Sequence, residues 1–389
     1  MQLAWGPEEE AFRAELVEFL DRHAPAAARE RHDFPTTDDG LIPQWLRDWQ
    51  AFLFDHGWLV PGYPPARGGR DASPVQSLVY LEEMAERGLP RSGHFPGYAI
   101  VAPSLLEFGT EEQKAMAPAA LRGDTVWCIG MSEPNAGSDL AGLQTRAVRD
   151  GDELVVNGQK VWTSYAYEAA QCLCYVRTNT EVPKHKGITV LIVDMATAGI
   201  EVRPLRHITG APEFAEVFFT DVRVPVSNVL GAVDGGWRVT MGSLAHERGG
   251  LWVEGVSRLE FTLQGLIDLA RRRGRLDDPV VRRRLAHAYE DVSSLRTLGY
   301  KGFSSFAQGS SAPEHSFLKL ASSELGKSLF ELGVELQGAH GVVVDAERAE
   351  EGGRWARMFF TSFASTIAGG TSEIQRNIIA ERVLGLPRG

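Results

Sequence analysis

The sequence predicts an α+β chain with an N-terminal helical domain, a central antiparallel β-domain and a C-terminal helical domain. Three observations carry this. Apolar residues recur at helical spacing from Pro7 to about Ala120. From about Thr125 to Gly235 they alternate, or run in short β-rich stretches between turn residues. From Gly236 onward helical spacing returns and persists. Helices, strands, then helices is not the alternation of a parallel α/β sheet. A chain of 389 residues exceeds one ordinary core. The expected domains are residues 1–122, 123–235 and 236–389.

In the first segment, "EEEAFRAELVEFLDRHA" places Phe12, Leu16, Phe19 and Leu20 on one helical stripe. "SPVQSLVYLEEMAERG" begins with Ser73 and Pro74, as helices do, and stops at Gly88. "TEEQKAMAPAAL" opens on Thr110, a good N-cap, with acidic residues in the first turn. In the second, "DELVVNGQKVWTS", "AAQCLCYVRT", "GITVLIVDM", "GIEVRPL" and "AEVFFTDVRV" read as strands. Asp150-Gly151 and Asn157-Gly158 are dipeptides of two-residue hairpin turns. In the third, residues 237–273, 279–309, 313–338 and 370–384 read as helices.

A net charge of −11 argues against a general nucleic-acid role, because phosphate binding needs a basic surface. The basic run "ARRRGRLDDPVVRRRLA" reads as a solvated turn between helices. Cys128, Cys172 and Cys174 have no metal-site spacing and read as buried, reduced thiols, which fits a cytoplasmic protein. No metal is expected. The N-terminal segment is acidic and amphipathic, unlike a signal peptide. No apolar run approaches the roughly 20 residues that span a membrane. Neither a dinucleotide-binding glycine fingerprint nor a P-loop is present.

Four stretches carry candidate chemistry. "WCIGMSEPNAGSDLAGLQTRA" packs turn formers together, so that backbone N–H groups and short hydroxyls can face one ligand, or can simply form a surface turn. "NGQKVWTSYA" sets Trp162 beside Thr163 and Ser164, which suits a flat heteroaromatic ring that also takes hydrogen bonds; a lone Trp reads more readily as core. "GSLAHERGGLW" surrounds His246-Glu247-Arg248 with Gly242, Gly249 and Gly250, which suggests close approach of another helix or a ligand; taken alone, Glu247-Arg248 is a surface charge pair. "TIAGGTSEIQRNIIAER" runs a Gly-Gly-Thr-Ser turn into a helix.

Together these stretches resemble the acyl-CoA dehydrogenase family over nearly the whole chain. "SEPNAGSD" resembles its first flavin loop, "NGQKVWTS" its second, and "GGTSEIQRNIIAERVLGLP" its C-terminal flavin loop and last helix. "LFDHGWLVPGYPPARGG" resembles a run in its N-terminal domain. The resemblance implies FAD as cofactor and a C-terminal four-helix bundle. It assigns Met131, Ser132, Gly137 and Ser138 to the flavin or the start of the acyl-CoA path. Trp162, Thr163 and Ser164 fall at the isoalloxazine ring, with Ser164 near N5. Thr371 and Glu373 fall at the nucleotide part. Glu335 and Gly338, in "ELQGAHG", fall in a turn that reaches a neighbouring subunit's flavin; this turn departs from the family pattern at Glu335 and Ala339.

The implied reaction removes the α-proton and a β-hydride of an acyl thioester, the hydride going to flavin N5. Many family members carry the base directly before the Gly-Thr of the C-terminal loop; here that position is Gly369. The isovaleryl and long-chain types carry a glutamate directly before a helical arginine; here the pair is Glu247-Arg248. Glu247 is therefore the expected base and Arg248 an orienting residue. Gly369 would offer a backbone N–H to the thioester carbonyl and clear space for a bulky acyl group.

By the same analogy the electron acceptor is an electron-transfer flavoprotein and the assembly a homotetramer or a mixed tetramer. The same analogy offers short branched chains, long chains and polycyclic groups such as steroid side chains as the acyl group, carried on CoA or on an acyl-carrier protein; the sequence does not choose among them. Two alternatives stay open. "ARRRGRLDDP" lacks the family's Phe-Gly, which raises a mixed-oligomer subunit with an incomplete flavin site. A flavin monooxygenase shares the architecture but has no need of Glu247.

Overall fold

The computed structural model describes residues 5–29, 41–248, 251–307, 314–344 and 347–387, with the side chains of 29, 244–248, 251, 306–307 and 314–315 outside the description. The described residues fall into two units. One gathers those of 1–33, 73–89 and 248–389; the other gathers those of 34–72 and 90–247.

The second unit is built on an eight-stranded sheet. Its strands are β1 (Trp127–Gly130), β2 (Arg146–Asp150), β3 (Glu153–Ser164), β4 (Gln171–Arg177), β5 (Ile188–Asp194), β6 (Ile200–Leu205), β7 (Phe214–Pro225) and β8 (Val229–Leu230). The order is β6-β7-β3-β2-β4-β5-β8, with β1 on β4. The ladders are antiparallel except where β1 and β2 meet β4. Val156, Cys172, Cys174, Leu191, Val193 and Val217 fill the core. All three cysteines are buried free thiols, Cys128 lying opposite Cys172. Each such apolar side chain removed from water contributes roughly 1.5–3 kcal/mol before conformational entropy is subtracted.

One expected turn forms and the other does not. Asp150 pairs with Glu153, and Gly151 takes φ +64° in the loop between them. Asn157-Gly158 instead lies inside β3, where the register against β7 slips. The cause is local packing: a Cβ at Gly158 would stand 2.6 Å from Oγ1 of Thr145, and the Asn157 side chain is held by Asp221 across the ladder. A glycine that admits a neighbouring strand marks a bulge rather than a reversal.

Helices in the same unit close over the sheet. Gln44–Asp55 buries Leu46, Trp49 and Leu53, and Gln50 Nε2 donates to the Leu121 carbonyl at 2.7 Å. Thr110 caps as expected, in a box with Gln113, but the helix it opens ends at Lys114 and a second one, Ala117–Arg122, starts with Pro118 in its first turn. Helix Gly236–Arg248 ends this unit. Gly242 sits on it where a Cβ would stand 2.5 Å from the Phe108 ring, so a neighbouring side chain explains that glycine. Gly249 and Gly250 lie outside the described residues.

In the first unit, helix Pro74–Glu86 is capped by a Ser73–Gln76 box and packs on Pro7–His23 and Leu251–Arg272. Arg13 Nε joins the first two through the buried Glu83 at 2.5 Å. Leu251–Arg272, Pro279–Ala307 and Glu314–Gln337 form the long helices of the bundle. A further helix, Arg354–Ser365, lies outside the four expected segments; its buried Trp355 presses onto Gly333. Among the described residues no helix is long and apolar enough to cross a membrane.

Candidate functional site

The expected flavin-loop residues lie in two places, one in each unit. In the sheet unit the chain leaves β1 at Gly130 and runs through Met131, Ser132 and Glu133 into a short turn, where Glu133 and Ala136 exchange backbone hydrogen bonds at 3.1 and 3.0 Å. Gly137 and Ser138 are exposed at its tip. No atom comes within 4 Å of a Cβ built at Gly137, and its φ is not positive. Neither packing nor backbone conformation within the described chain therefore requires glycine there. The Ser132 carbonyl accepts the Val161 N–H at 3.0 Å, which docks this loop against the end of β3.

Trp162 follows directly. Its φ is +62°, the β3–β7 register slips between Lys160 and Thr163, and the indole is 56 % exposed. A bulky L-residue in the left-handed region costs on the order of 1–3 kcal/mol, and such outliers gather at ligand sites. The core reading of Trp162 is thereby excluded. The Phe214 ring meets the indole edge-on at 5.9 Å between centroids and steadies it. Thr163 is buried, and its hydroxyl has no hydrogen-bond partner among the described residues. Ser164 is half-buried. A presented indole beside an unmatched buried hydroxyl fits a planar heteroaromatic cofactor with polar edges.

The next strained residue is Tyr165, at φ +61°. Burial pushes its phenol above the ordinary range, with Glu213 and Glu168 adding to the shift. The His94 ring stands edge-on to it at 5.5 Å. His94 is held neutral: burial lowers its pKa to about 4 against the opposing pull of its hydrogen bond to Trp127. Its Nε2 lies 3.1 Å from the Trp127 N–H and 2.7 Å from the Trp127 carbonyl, and the tautomer decides which of the two it engages.

In the helical unit, both glycines of the C-terminal turn are left-handed, Gly369 at φ +64° and Gly370 at φ +93°. Their carbonyls are taken by Gln375 Nε2 at 2.9 Å and Lys319 Nζ at 2.6 Å. Thr371 then caps helix Ser372–Ile378 by accepting the Ile374 N–H at 3.2 Å. Ser372 donates to Glu324 at 2.5 Å. Glu373 is exposed at the helix N-terminus. Its own backbone N–H, and then the Thr371 hydroxyl, hold its carboxyl below the ordinary range.

Glu247 and Arg248 occupy the last turn of helix Gly236–Arg248, and their side chains lie outside the described residues. Glu335 pairs with Arg284, and Gly338 turns the chain at φ +60°. The basic run spans a turn between helices, as expected, but four of its arginines are engaged within the chain: Arg272 with Glu351, Arg273 with Glu350, Arg271 with Asp268 and Arg275 with Asp278. Among the described residues no cluster of His, Cys, Asp and Glu could hold a metal ion.

Residues given no role from sequence underlie the loop. Lys160 is fully buried and its Nζ lies 2.8 Å from Oε1 of Glu133. Burial pushes the Glu133 carboxyl up, but Lys160 and the backbone donors around it outweigh that and leave it below the ordinary range. The available signal was a lysine in phase with Leu154 and Val156 in a strand, since a buried ammonium requires an anion.

Comparison with known proteins extends over the whole arrangement. The family description "Acyl-CoA dehydrogenase, N-terminal domain" matches residues 6–124, "middle domain" residues 128–222 and "C-terminal domain" residues 234–384. Acyl-CoA dehydrogenase IpdE1 of Mycolicibacterium smegmatis is 37% identical over 353 residues, covering 88% of each chain. Two solved structures superpose over 100% of both chains at 33% identity. The Tcur3481-Tcur3483 steroid ACAD does so with a TM-score of 0.85. The ChsE4-ChsE5 complex from Mycobacterium tuberculosis does so with a TM-score of 0.83.

Proposed function

The chain belongs to the acyl-CoA dehydrogenase family, and from that premise we propose that it binds FAD and dehydrogenates an acyl-CoA thioester with Glu247 as base. The observation that carries the cofactor reading is Trp162, a large apolar side chain held in strained backbone and presented to solvent. Bound FAD would supply the acceptor for the β-hydride. Met131, Ser132, Trp162, Thr163 and Ser164 would hold its ring system, with Thr371 and Glu373 at the nucleotide part.

The chain's own residues supply the rest. Glu247 removes the α-proton. Arg248 orients the substrate. Ser138, exposed at the loop tip, meets the thioester carrier. The N–H of Gly369 donates to the thioester carbonyl oxygen as enolate-like charge develops there. A glycine leaves room for a bulky acyl group such as a steroid side chain. The steroid ACAD named above supports that substrate class as the first to test. Electrons pass to an electron-transfer flavoprotein.

A second reading is favoured by one observation. Arg272, which ends helix Leu251–Arg272, and Arg273 after it are tied to Glu351 and Glu350 of their own chain. In this reading the chain is one subunit of a mixed tetramer and completes its flavin site with a paralogous partner. The two-protein ChsE4-ChsE5 complex supports it. Protein purified alone and yellow with FAD, and bleached anaerobically by a member of an acyl-CoA panel, establishes the first reading. Colourless protein that turns yellow only with a paralogue favours the second.

A further inference from the structure

The loop from Met131 to Leu143 is exposed along its tip, yet charged side chains hold it from inside the sheet. We propose that Lys160, Glu133 and Arg177 are the positioning residues of this loop, setting the Met131–Ser138 backbone against the Trp162 segment. Use of that position for a cofactor rests on the reading above; the bracing itself stands on geometry.

At the near end, the Glu133 carboxylate accepts Lys160 Nζ at 2.8 Å, the Gln144 N–H at 2.6 Å and the Thr145 N–H at 2.9 Å. The first residue of the loop's turn thereby grips the two residues that directly follow the loop. Lys160 Nζ also donates to the Met131 carbonyl at 3.3 Å. Its stem passes Gly130, where a Cβ would stand 3.1 Å from Lys160 Cγ. Since Lys160 lies two residues before Trp162 in β3, one ammonium ties the loop to the strand that presents the indole.

At the far end, Arg177 of β4 is 8 % exposed. It spends its guanidinium on backbone carbonyls: Nη2 donates to Ala141 at 2.5 Å and to Leu143 at 3.3 Å, Nε donates to Leu143 at 3.3 Å, and Nη1 donates to Lys184. Its own N–H donates to the Thr145 carbonyl at 2.7 Å. A planar fork can satisfy several carbonyls in fixed directions, which a lysine cannot.

Displacing the loop would leave a buried ammonium, carboxylate or guanidinium short of partners, so only one backbone position satisfies all three. Apolar packing would hold the loop without specifying that position. A buried ion pair adds little net stability once desolvation is counted, so for this loop the role we assign to these groups is selection of one conformation.

The test compares Lys160→Met, Lys160→Arg and Arg177→Lys with the wild-type chain. It reads amide hydrogen exchange peptide by peptide, and FAD affinity by fluorescence titration of the apoprotein. Lys160→Met and Arg177→Lys are expected to speed exchange in residues 134–143 by about tenfold or more, with β4 and β5 unchanged. They should weaken FAD binding by a similar factor, and Lys160→Arg should restore most of both. Should Lys160→Met not fold, Arg177→Lys, which keeps its charge, decides the matter alone. Wild-type exchange in 134–143, or a rise spread evenly over β4 and β5, would overturn the proposal. A wild-type protein that binds no FAD either alone or with a paralogous partner, with the localised exchange change intact, would refute the cofactor reading and leave the bracing standing.

Discussion

Lys319 Nζ donates to the Gly370 carbonyl at 2.6 Å, tying helix Glu314–Gln337 to a turn whose glycines are both left-handed. The pairing explains why two glycines stand together in an ordered segment. The peptide planes must turn so that one carbonyl meets Lys319 and the other Gln375, and only glycine enters that conformation freely.

Gly370→Ala is therefore expected to destabilise the chain by roughly 1–3 kcal/mol. The added methyl meets both the positive φ and Gln375 Nε2 at 2.9 Å. Lys319→Met, which keeps the stem, should cost about 1 kcal/mol, since water can reach a partly exposed carbonyl. Denaturant unfolding of the two variants checks the order.

Trp162 should separate stability from binding. Replacing it with Gly removes a strained conformation and an indole already 56 % exposed, so the unfolding free energy should change by less than about 1 kcal/mol. FAD affinity should fall by about tenfold or more through lost stacking. Equal loss of stability and affinity would return Trp162 to a packing role.

Glu247→Gln keeps shape and removes the basic lone pair. The rate of anaerobic flavin reduction by a competent acyl-CoA should drop by roughly 10²–10⁴, with FAD content unchanged. Near-normal reduction would move the base elsewhere.

His94 makes stability depend on pH. Its pKa is about 4 in the fold against 6.5 in the unfolded chain, so between those values the unfolded state binds more protons. Stability is full above pH 6.5, falls as pH drops toward 4 and levels off below. The total loss is on the order of 3 kcal/mol, at 1.36 kcal/mol per pH unit. In His94→Asn the decline in melting temperature across that window should be shallower. An unchanged slope would show that other groups carry it.

Much of the fold was legible locally. Ser73 and Thr110 cap where their side chains predict, because a cap is satisfied within four residues. The change from helical to alternating spacing marks the sheet within a few residues of its observed start at Trp127. The first and second loops meet at the end of β3, where the Ser132 carbonyl accepts the Val161 N–H. What was misread depended on distant partners. Asn157-Gly158 has the chemistry of a hairpin turn, but Thr145 and Asp221 decide that it is a bulge. Helix Arg354–Ser365 follows a turn built from Glu350, Glu351 and glycines, and arginines from far along the chain set that turn.

The sequence by itself determined the family, the order of helical and strand segments, and which residue types stand at each loop. Those properties follow from periodicity, caps and short motifs, whose physics acts over a few residues. The tertiary structure alone decided that Trp162 is presented rather than buried, that both glycines of the C-terminal turn are left-handed, and that Lys160, Glu133 and Arg177 brace the loop. Each of these depends on groups far apart in sequence, where the burial of a charge or the direction of a peptide plane is settled only by what packs against it.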